Sequence, residues 1–232
     1  MMWSLYDDLV RSATQDPAAL RVARKEWEAR TGTVGPDHDL YHERSDAFVE
    51  WFLIERRDQT GQTPVEQALR AQSAEPAGAD VAKTSLLLAL RSSLRSLFRV
   101  VRLRPGGLLL DDLLGGARFA VDERRSLPGV QPGDLFEARL IPDPDVPGRL
   151  LLGRAVLFHP REAAIVLIQR AAAARASLLL ASQTDDNPRS PFLEALLRLR
   201  LKALTYRHVS PARIYSLSDD SGPRVGSVNP AL

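Results

Sequence analysis

The sequence predicts an α+β fold in which a small antiparallel SH3-like β-barrel is held between an N-terminal and a C-terminal helical region. Three observations predict it. Apolar residues recur at helical spacing, with start signals, up to residue 97 and again beyond residue 160. Near Phe98 the pattern changes to period-two alternation. Between Phe98 and His159 five short strands are separated by Gly- and Pro-bearing turns, and no connection has room for a crossover helix. The strands are therefore expected to pair antiparallel and to curl closed, which protects their edges. The expected division is a helical region over 1–97, the barrel over 98–159, a second helical region over 160–218 and a flexible tail over 219–232. An oligonucleotide-binding-type barrel is the neighbouring topology.

Asp16-Pro17 supplies a cap and a first-turn proline for a helix over Ala18–Arg30, which Thr31-Gly32 stops. From His42 to Arg57, Phe48, Trp51, Phe52 and Ile54 form an aromatic-rich stripe that reads as core. Thr63-Pro64-Val65-Glu66 has the spacing of a capping box. Asp80 then caps a longer helix whose apolar face is Leu86, Leu87, Leu90, Leu94 and Leu97, with Arg91 and Arg95 on another side. That helix is expected to run directly into the first strand.

FRVVRLR, residues 98–104, reads as a strand ended by the turn Pro105-Gly106-Gly107, and Leu108–Leu110 begins the next. After Gly115-Gly116, Ala117, Phe119 and Val121 alternate with Arg118, Ala120 and Asp122. After Pro132-Gly133-Asp134, Phe136, Ala138 and Leu140 alternate with Leu135, Glu137 and Arg139. Each alternation predicts one buried face. Ile141–Gly148 is a proline-rich loop, and Arg149–Phe158 is the last strand. A helix is expected over Arg161–Leu180, and Ser190-Pro191 opens another bearing Phe192, Leu193, Leu196, Leu197, Leu201 and Leu204. Ser210-Pro211 is expected to end regular helix.

Composition narrows the chemistry. The chain of 232 residues has a formal net charge of +2, and 28 of its 31 basic residues are arginine. Only residues 160–232 lean basic, with a net charge of +4. Zero cysteines exclude disulfides, thiolate zinc sites and cysteine nucleophiles. The N-terminus lacks a basic segment followed by an apolar run, and Gln169, Arg170 and Arg175 interrupt the most apolar stretch. A cytoplasmic protein with no membrane partner is expected.

Phe48-Val49-Glu50-Trp51-Phe52, Gly61-Gln62-Thr63-Pro64, RVVRLRPGGLLLDDLLGGARFAVDERRSL and QPGDLFEARLIP follow one another in order. In this run, roughly residues 40–160, the chain resembles uncharacterised bacterial proteins, some of which carry a separate cysteine-rich SEC-C metal-binding segment. The resemblance implies a helical-plus-barrel module, with no catalytic residue to carry over. The SEC-C zinc site has no counterpart here, because the cysteines are absent.

No P-loop, dinucleotide, zincin, nucleophile-elbow or calcium-loop pattern occurs. The densest polar cluster holds Asp37, His38, Asp39, His42, Glu43 and Asp46, of which His38, Asp39, His42 and Asp46 are candidate nitrogen and oxygen ligands for a metal. The same residues serve equally as caps and as a soluble helix face, and His159 and His208 read as helix-end residues. Glu50 and Glu55, five apart, are expected to diverge on their helix; Asp111 and Asp112 are expected to start a turn. Arg118, Arg124, Arg125 and Arg139 are the candidate nucleic-acid contacts on the barrel. The leading expectation is a non-enzymatic protein-interaction or regulatory module that uses a protein partner or self-association and no cofactor. The alternatives are an RNA- or DNA-binding protein and a metal-dependent enzyme at His38 and His42.

Overall fold

The structure is a computed structural model that describes residues 2–74, 80–123, 125, 127–181 and 187–217. Arg124 and the expected tail over 219–232 lie outside the described residues. The architecture is α+β, as the sequence predicts. Five helices come first: α1 (Met2–Ala13), α2 (Pro17–Thr31), α3 (Tyr41–Ile54), α4 (Pro64–Ala74) and α5 (Val81–Arg91). The strands are β1 (Leu94–Arg104), β2 (Gly107–Asp112), β3 (Arg118–Asp122), β4 (Leu135–Pro142) and β5 (Leu150–Phe158). A 3-10 turn over Arg161–Ala163 leads into α6 (Ala164–Ala181), followed by α7 (Ser190–Thr205) and α8 (Pro211–Ser216).

The predicted helix starts are built from the predicted bonds. Asp16 accepts from the backbone N–H groups of Ala18 and Ala19, and Asp80 from those of Ala82 and Lys83. The capping box is reciprocal: Glu66 N–H donates to Thr63 Oγ1 at 3.2 Å, and Thr63 N–H to Glu66 Oε2 at 2.9 Å. The buried stripe Phe48, Trp51 and Phe52 meets Trp27 of α2, whose ring centroid lies 5.2 Å from that of Trp51.

Two helix boundaries differ from expectation. The helix capped by Asp80 ends at Arg91, where Ser92 Oγ and Ser93 Oγ bond back to the carbonyls of Leu88 and Leu90, and Leu94–Leu97 belong to β1. Leucines three and four apart satisfy a helix and a strand alike once both strand faces are covered, so their spacing did not decide. Ser210-Pro211 starts the short α8 rather than ending regular helix, since a proline fits the first turn.

The strands close in the order β1-β2-β3-β5-β4, with β4 returning to β1. β1 is long enough to serve two neighbours: Leu94–Arg99 pairs with β4 and Phe98–Arg104 with β2, with an irregularity at Val100/Arg102. Gly106, at φ +71°, makes the tight β1–β2 turn. The expectation of wholly antiparallel pairing is corrected at one seam, because β3 meets β5 in parallel at Asp122 and Leu151. β4 and its flanking loops, rather than a helix, carry the chain across between those strands.

Phe98, Val100, Leu108, Leu110, Val121, Phe136, Ala138, Leu140 and Leu152 fill the barrel. On one outside wall, Ile141, Ala155 and Leu157 join the core built by α1 to α5; on another, Leu97, Leu114 and Leu135 join that of α6 to α8. The barrel is thereby covered on two sides. β4 is buried on both faces, contrary to the single buried face that its alternation predicts. No helix among the described residues is long and apolar enough to cross a membrane.

Candidate functional site

Because helices cover the outer face of β4, its polar residues become interior. Glu137 is 1% exposed and Arg139 2%. An ionised side chain in such a place is stable only when paired and hydrogen-bonded, and α3 supplies the partners. Arg139 forms ion pairs with Glu55 and with Glu50, the latter at 3.6 Å. Arg95, beside it on β1, lies 3.2 Å from Glu137 and 3.5 Å from Glu55. Ser190 Oγ donates to Glu55 Oε2 at 2.7 Å, and Ala155 N–H to Glu50 Oε1 at 3.1 Å. Gly153 leaves room here: a Cβ on it would press on Glu50 Oε1, which would have to shift.

The predicted divergence of Glu50 and Glu55 is corrected by this geometry. Glu55 stands just past the end of α3, so it is free of the helical angle and both carboxylates reach Arg139. Burial pushes the Glu55 carboxyl upward, but Arg139, Arg95 and Ser190 outweigh it and hold it below the usual range. Burial raises Glu50 despite Arg139. Glu137 is pushed up to about 7, mainly by burial. His159 is pushed down to about 3 by burial and by Arg200. Its Nε2 lies 3.8 Å from Glu137 Oε1, and neither atom has a hydrogen-bond partner. Between about pH 3 and 7 those opposed shifts leave a neutral carboxyl beside a neutral imidazole, rather than an ion pair between the two. His159 stands at the approach to the 3-10 turn before α6, where the sequence places it, and is also a core residue, bonded through Nδ1 to Tyr215 Oη at 2.8 Å.

A cleft opens beside this network where α7 begins. It has a volume of about 280 Å3 and is lined by Arg57, Arg91, Arg95, Arg139 and Arg189 around Glu55. A neighbouring cavity of about 510 Å3 shares Glu55, Arg57 and Asn187 with it.

The candidate nucleic-acid contacts have separate placements. Arg118 lies on the outer face of β3 and shares Asp111 with Arg99, at 2.7 and 2.6 Å. Arg125 pairs with Glu123 at 2.7 Å and donates to the Gly153 and Arg154 carbonyls. Arg139 is interior. Asp111 and Asp112 end β2, and Asp112 opens the following turn as expected, its carbonyl accepting from Gly116 N–H; its buried side chain accepts from Ser96 Oγ, Leu114 N–H and Arg189.

The candidate metal ligands lie at the entrance to α3. His38 Nδ1 accepts from Leu40 N–H at 3.1 Å, and the His42 ring packs edge-on against Tyr41. Asp46 is half-buried and raised, chiefly by burial. Among the described residues no group of three or more His, Asp or Glu side chains is positioned to hold a metal ion.

A second concave feature separates α6 from β1, β2 and β3. This groove, of about 650 Å3, is walled by Arg99, Asp111 and Arg118 on the barrel and by Ile168, Ala172, Arg175, Ala176 and Leu179 on α6. α6 buries Leu167 and Ala171, while Ile165 is 72% exposed and Leu179 71%. The sequence predicts this helix without separating its buried face from a second, exposed apolar stripe. The 3-4-4-3 spacing of Ile165, Ile168, Ala172, Ala176 and Leu179 was the available signal.

These features define a mixed α+β barrel protein with an ionic seam between barrel and helices. The chain belongs to a family of unknown function, DUF7986, whose model matches residues 38–179. The matched run extends from the approach to α3, through all five strands, into α6. It supports kinship with proteins of unknown function and does not extend to the SEC-C link. No curated protein and no solved structure matches the chain.

Proposed function

We propose that the chain is a non-enzymatic interaction module that self-associates through α6, two copies packing their exposed stripes antiparallel about a two-fold axis at Ala172. The carrying observation is the symmetry of the stripe. Ile165 and Leu179 stand seven residues to either side of Ala172, and Ile168 and Ala176 stand four to either side. A helix whose pattern is unchanged by reversal complements itself, as an isologous interface requires. Antiparallel pairing sets Ile165 of each copy against Leu179 of the other, and the alanines at the centre allow close approach.

Protein pairing is favoured over nucleic-acid binding by the charge arrangement. Arg118 is paired with Asp111, which it shares with Arg99, Arg125 is paired with Glu123, and Arg139 is interior, so three of the four candidate contacts are already engaged by carboxylates rather than turned together toward phosphates. The metal-enzyme reading lacks a ligand group among the described residues. For the barrel, the order β1-β2-β3-β5-β4 and its parallel closing pair support an oligonucleotide-binding type over the expected SH3-like type, as a matter of topology alone.

A cysteine-free chain makes the test clean. Ala172→Cys is expected to form an intermolecular disulfide under mild oxidation, while Ala120→Cys, exposed on β3, is expected to stay unlinked. Equal cross-linking of both variants, or of neither, contradicts the proposal.

A further inference from the structure

We propose that the arginine-lined cleft at the start of α7 binds a small phosphomonoester, holding its phosphate among the guanidinium groups and its hydroxyl-bearing body in the adjoining cavity. This site is separate from the α6 groove, and neither proposal depends on the other.

Several features converge on the cleft. It gathers five arginines, and Glu55 is the one carboxylate among its described lining residues. Arginine presents a planar fork of donors that matches a phosphate or carboxylate. The inner pair, Arg95 and Arg139, is more than nine-tenths buried, yet Arg95 Nη1 and Arg139 Nε have no hydrogen-bond partner. Both atoms lie within ion-pair reach of carboxylates, at 3.5 Å from Glu55 and 3.6 Å from Glu50, so their charge is met while their N–H directions are not. The outer groups differ. Arg189 lies 3.1 Å from Asp112 and Arg57 2.9 Å from Glu66, whereas Arg91 is exposed and makes no ion pair among the described residues. Arg91 is therefore the cation most available to an incoming anion.

The backbone adds to the same field. α7 has 16 residues, and its cap residue, Arg189, makes no side-chain bond to the first turn. Ser190 N–H is taken by the Asn187 carbonyl and Pro191 has no N–H, so this end contributes chiefly the partial positive charge of the helix. Here the cleft stands before it, lined by Asn187, Pro188 and Arg189.

The neighbouring cavity selects the rest of the ligand. Its walls carry Glu26, Glu55 and Glu194, interleaved with Arg30, Arg56 and Arg57, together with Trp51. Those carboxylates, each paired with an arginine, keep oxygen lone pairs that accept from hydroxyl groups. A polar body carrying a single phosphate at one end suits both halves.

The test is calorimetric titration of the full chain at low ionic strength with glycerol 3-phosphate, inorganic phosphate and glycerol. Glycerol 3-phosphate is expected to saturate one site more tightly than inorganic phosphate, and glycerol to give no heat of binding. Arg91→Glu, an exposed change that leaves the network intact, is expected to weaken glycerol 3-phosphate at least tenfold. Arg102→Glu, exposed on β1, removes the same charge from elsewhere and is expected to leave binding unchanged. Equal losses in the two variants, binding of inorganic phosphate as tight as that of the ester, or no binding of either phosphate overturns the proposal.

Discussion

Glu137→Gln isolates the effect of one proton in the barrel wall. The carboxyl is held at about 7 when folded, against an ordinary value of 4.5, so the folded chain binds this proton more tightly than the unfolded chain. Its stabilising contribution is complete below pH 4.5 and is lost as pH rises through 7. At about 1.4 kcal/mol per pH unit, that interval amounts to about 3 kcal/mol. His159 has the opposite sign. Held at about 3 against 6.5, it contributes stability that is complete above pH 6.5 and is lost as pH falls through 3. Between pH 4.5 and 6.5 the two slopes oppose each other, and these two groups together give a plateau. Glutamine keeps the shape of the neutral acid and removes the titration. The variant is therefore expected to gain about 3 kcal/mol relative to the parent between pH 4.5 and 8, and nothing further from pH 8 to 9. Urea unfolding at half-unit pH steps measures this directly. Parallel profiles for the two proteins would refute the reasoning, and a relative loss on raising the pH would point to a Glu137–His159 ion pair instead.

Other substitutions test the seam and the local structure. Arg139→Met leaves Glu50 and Glu55 buried without their main cation, and is expected to destabilise by about 3–5 kcal/mol in urea unfolding; adding Glu55→Gln is expected to restore part of that loss. Gly153→Ala drives a methyl group against Glu50 Oε1 and is expected to lower stability by about 1–3 kcal/mol, with little effect once Glu50 is itself shortened to Ala. Thr63→Ala removes one bond of the capping box and is expected to cost about 1 kcal/mol, read as a lower thermal midpoint.

The elements most legible in the sequence were those set by local chemistry. Asp16, Thr63 and Asp80 start helices because their oxygens reach N–H groups two or three residues away, which spacing alone reveals. The turns at Gly106 and Gly133 and the alternation of Phe136, Ala138 and Leu140 marked the barrel for the same reason. What escaped depended on distant partners. Glu137 and Arg139 alternate with apolar residues as a solvent-facing row does, and only the docking of α3 over β4 makes that row interior. The end of α5 and the start of β1 were blurred because Leu94 and Leu97 suit either period when both sides of a strand are covered. The parallel β3–β5 seam joins residues about 30 apart with another strand between them, and nothing in either strand's own pattern announces it.

The candidate site divides in the same way. The arginines were visible as a residue type, but their roles were set by acids elsewhere in the chain: Asp111 for Arg118, Glu123 for Arg125, and Glu50 and Glu55 for Arg139. The α6 stripe was readable in principle, since Ile165, Ile168, Ala172, Ala176 and Leu179 keep their spacing in the bare sequence. Its overall apolar character concealed it, because a helix with apolar residues on most sides gives no strong direction.

Sedimentation equilibrium of the full chain tests self-association through α6 most directly. The chain mass is 25.6 kDa, so the paired species weighs twice that, about 51 kDa. Ile165→Asp removes two symmetry-related contacts, each about 1.5–3 kcal/mol for a fully buried side chain. It is expected to weaken pairing at least 100-fold. The account predicts a concentration-dependent approach to about 51 kDa for the parent chain and 25.6 kDa for Ile165→Asp at the same concentrations. A parent chain that stays at 25.6 kDa, or a variant that pairs as well as the parent, would contradict it.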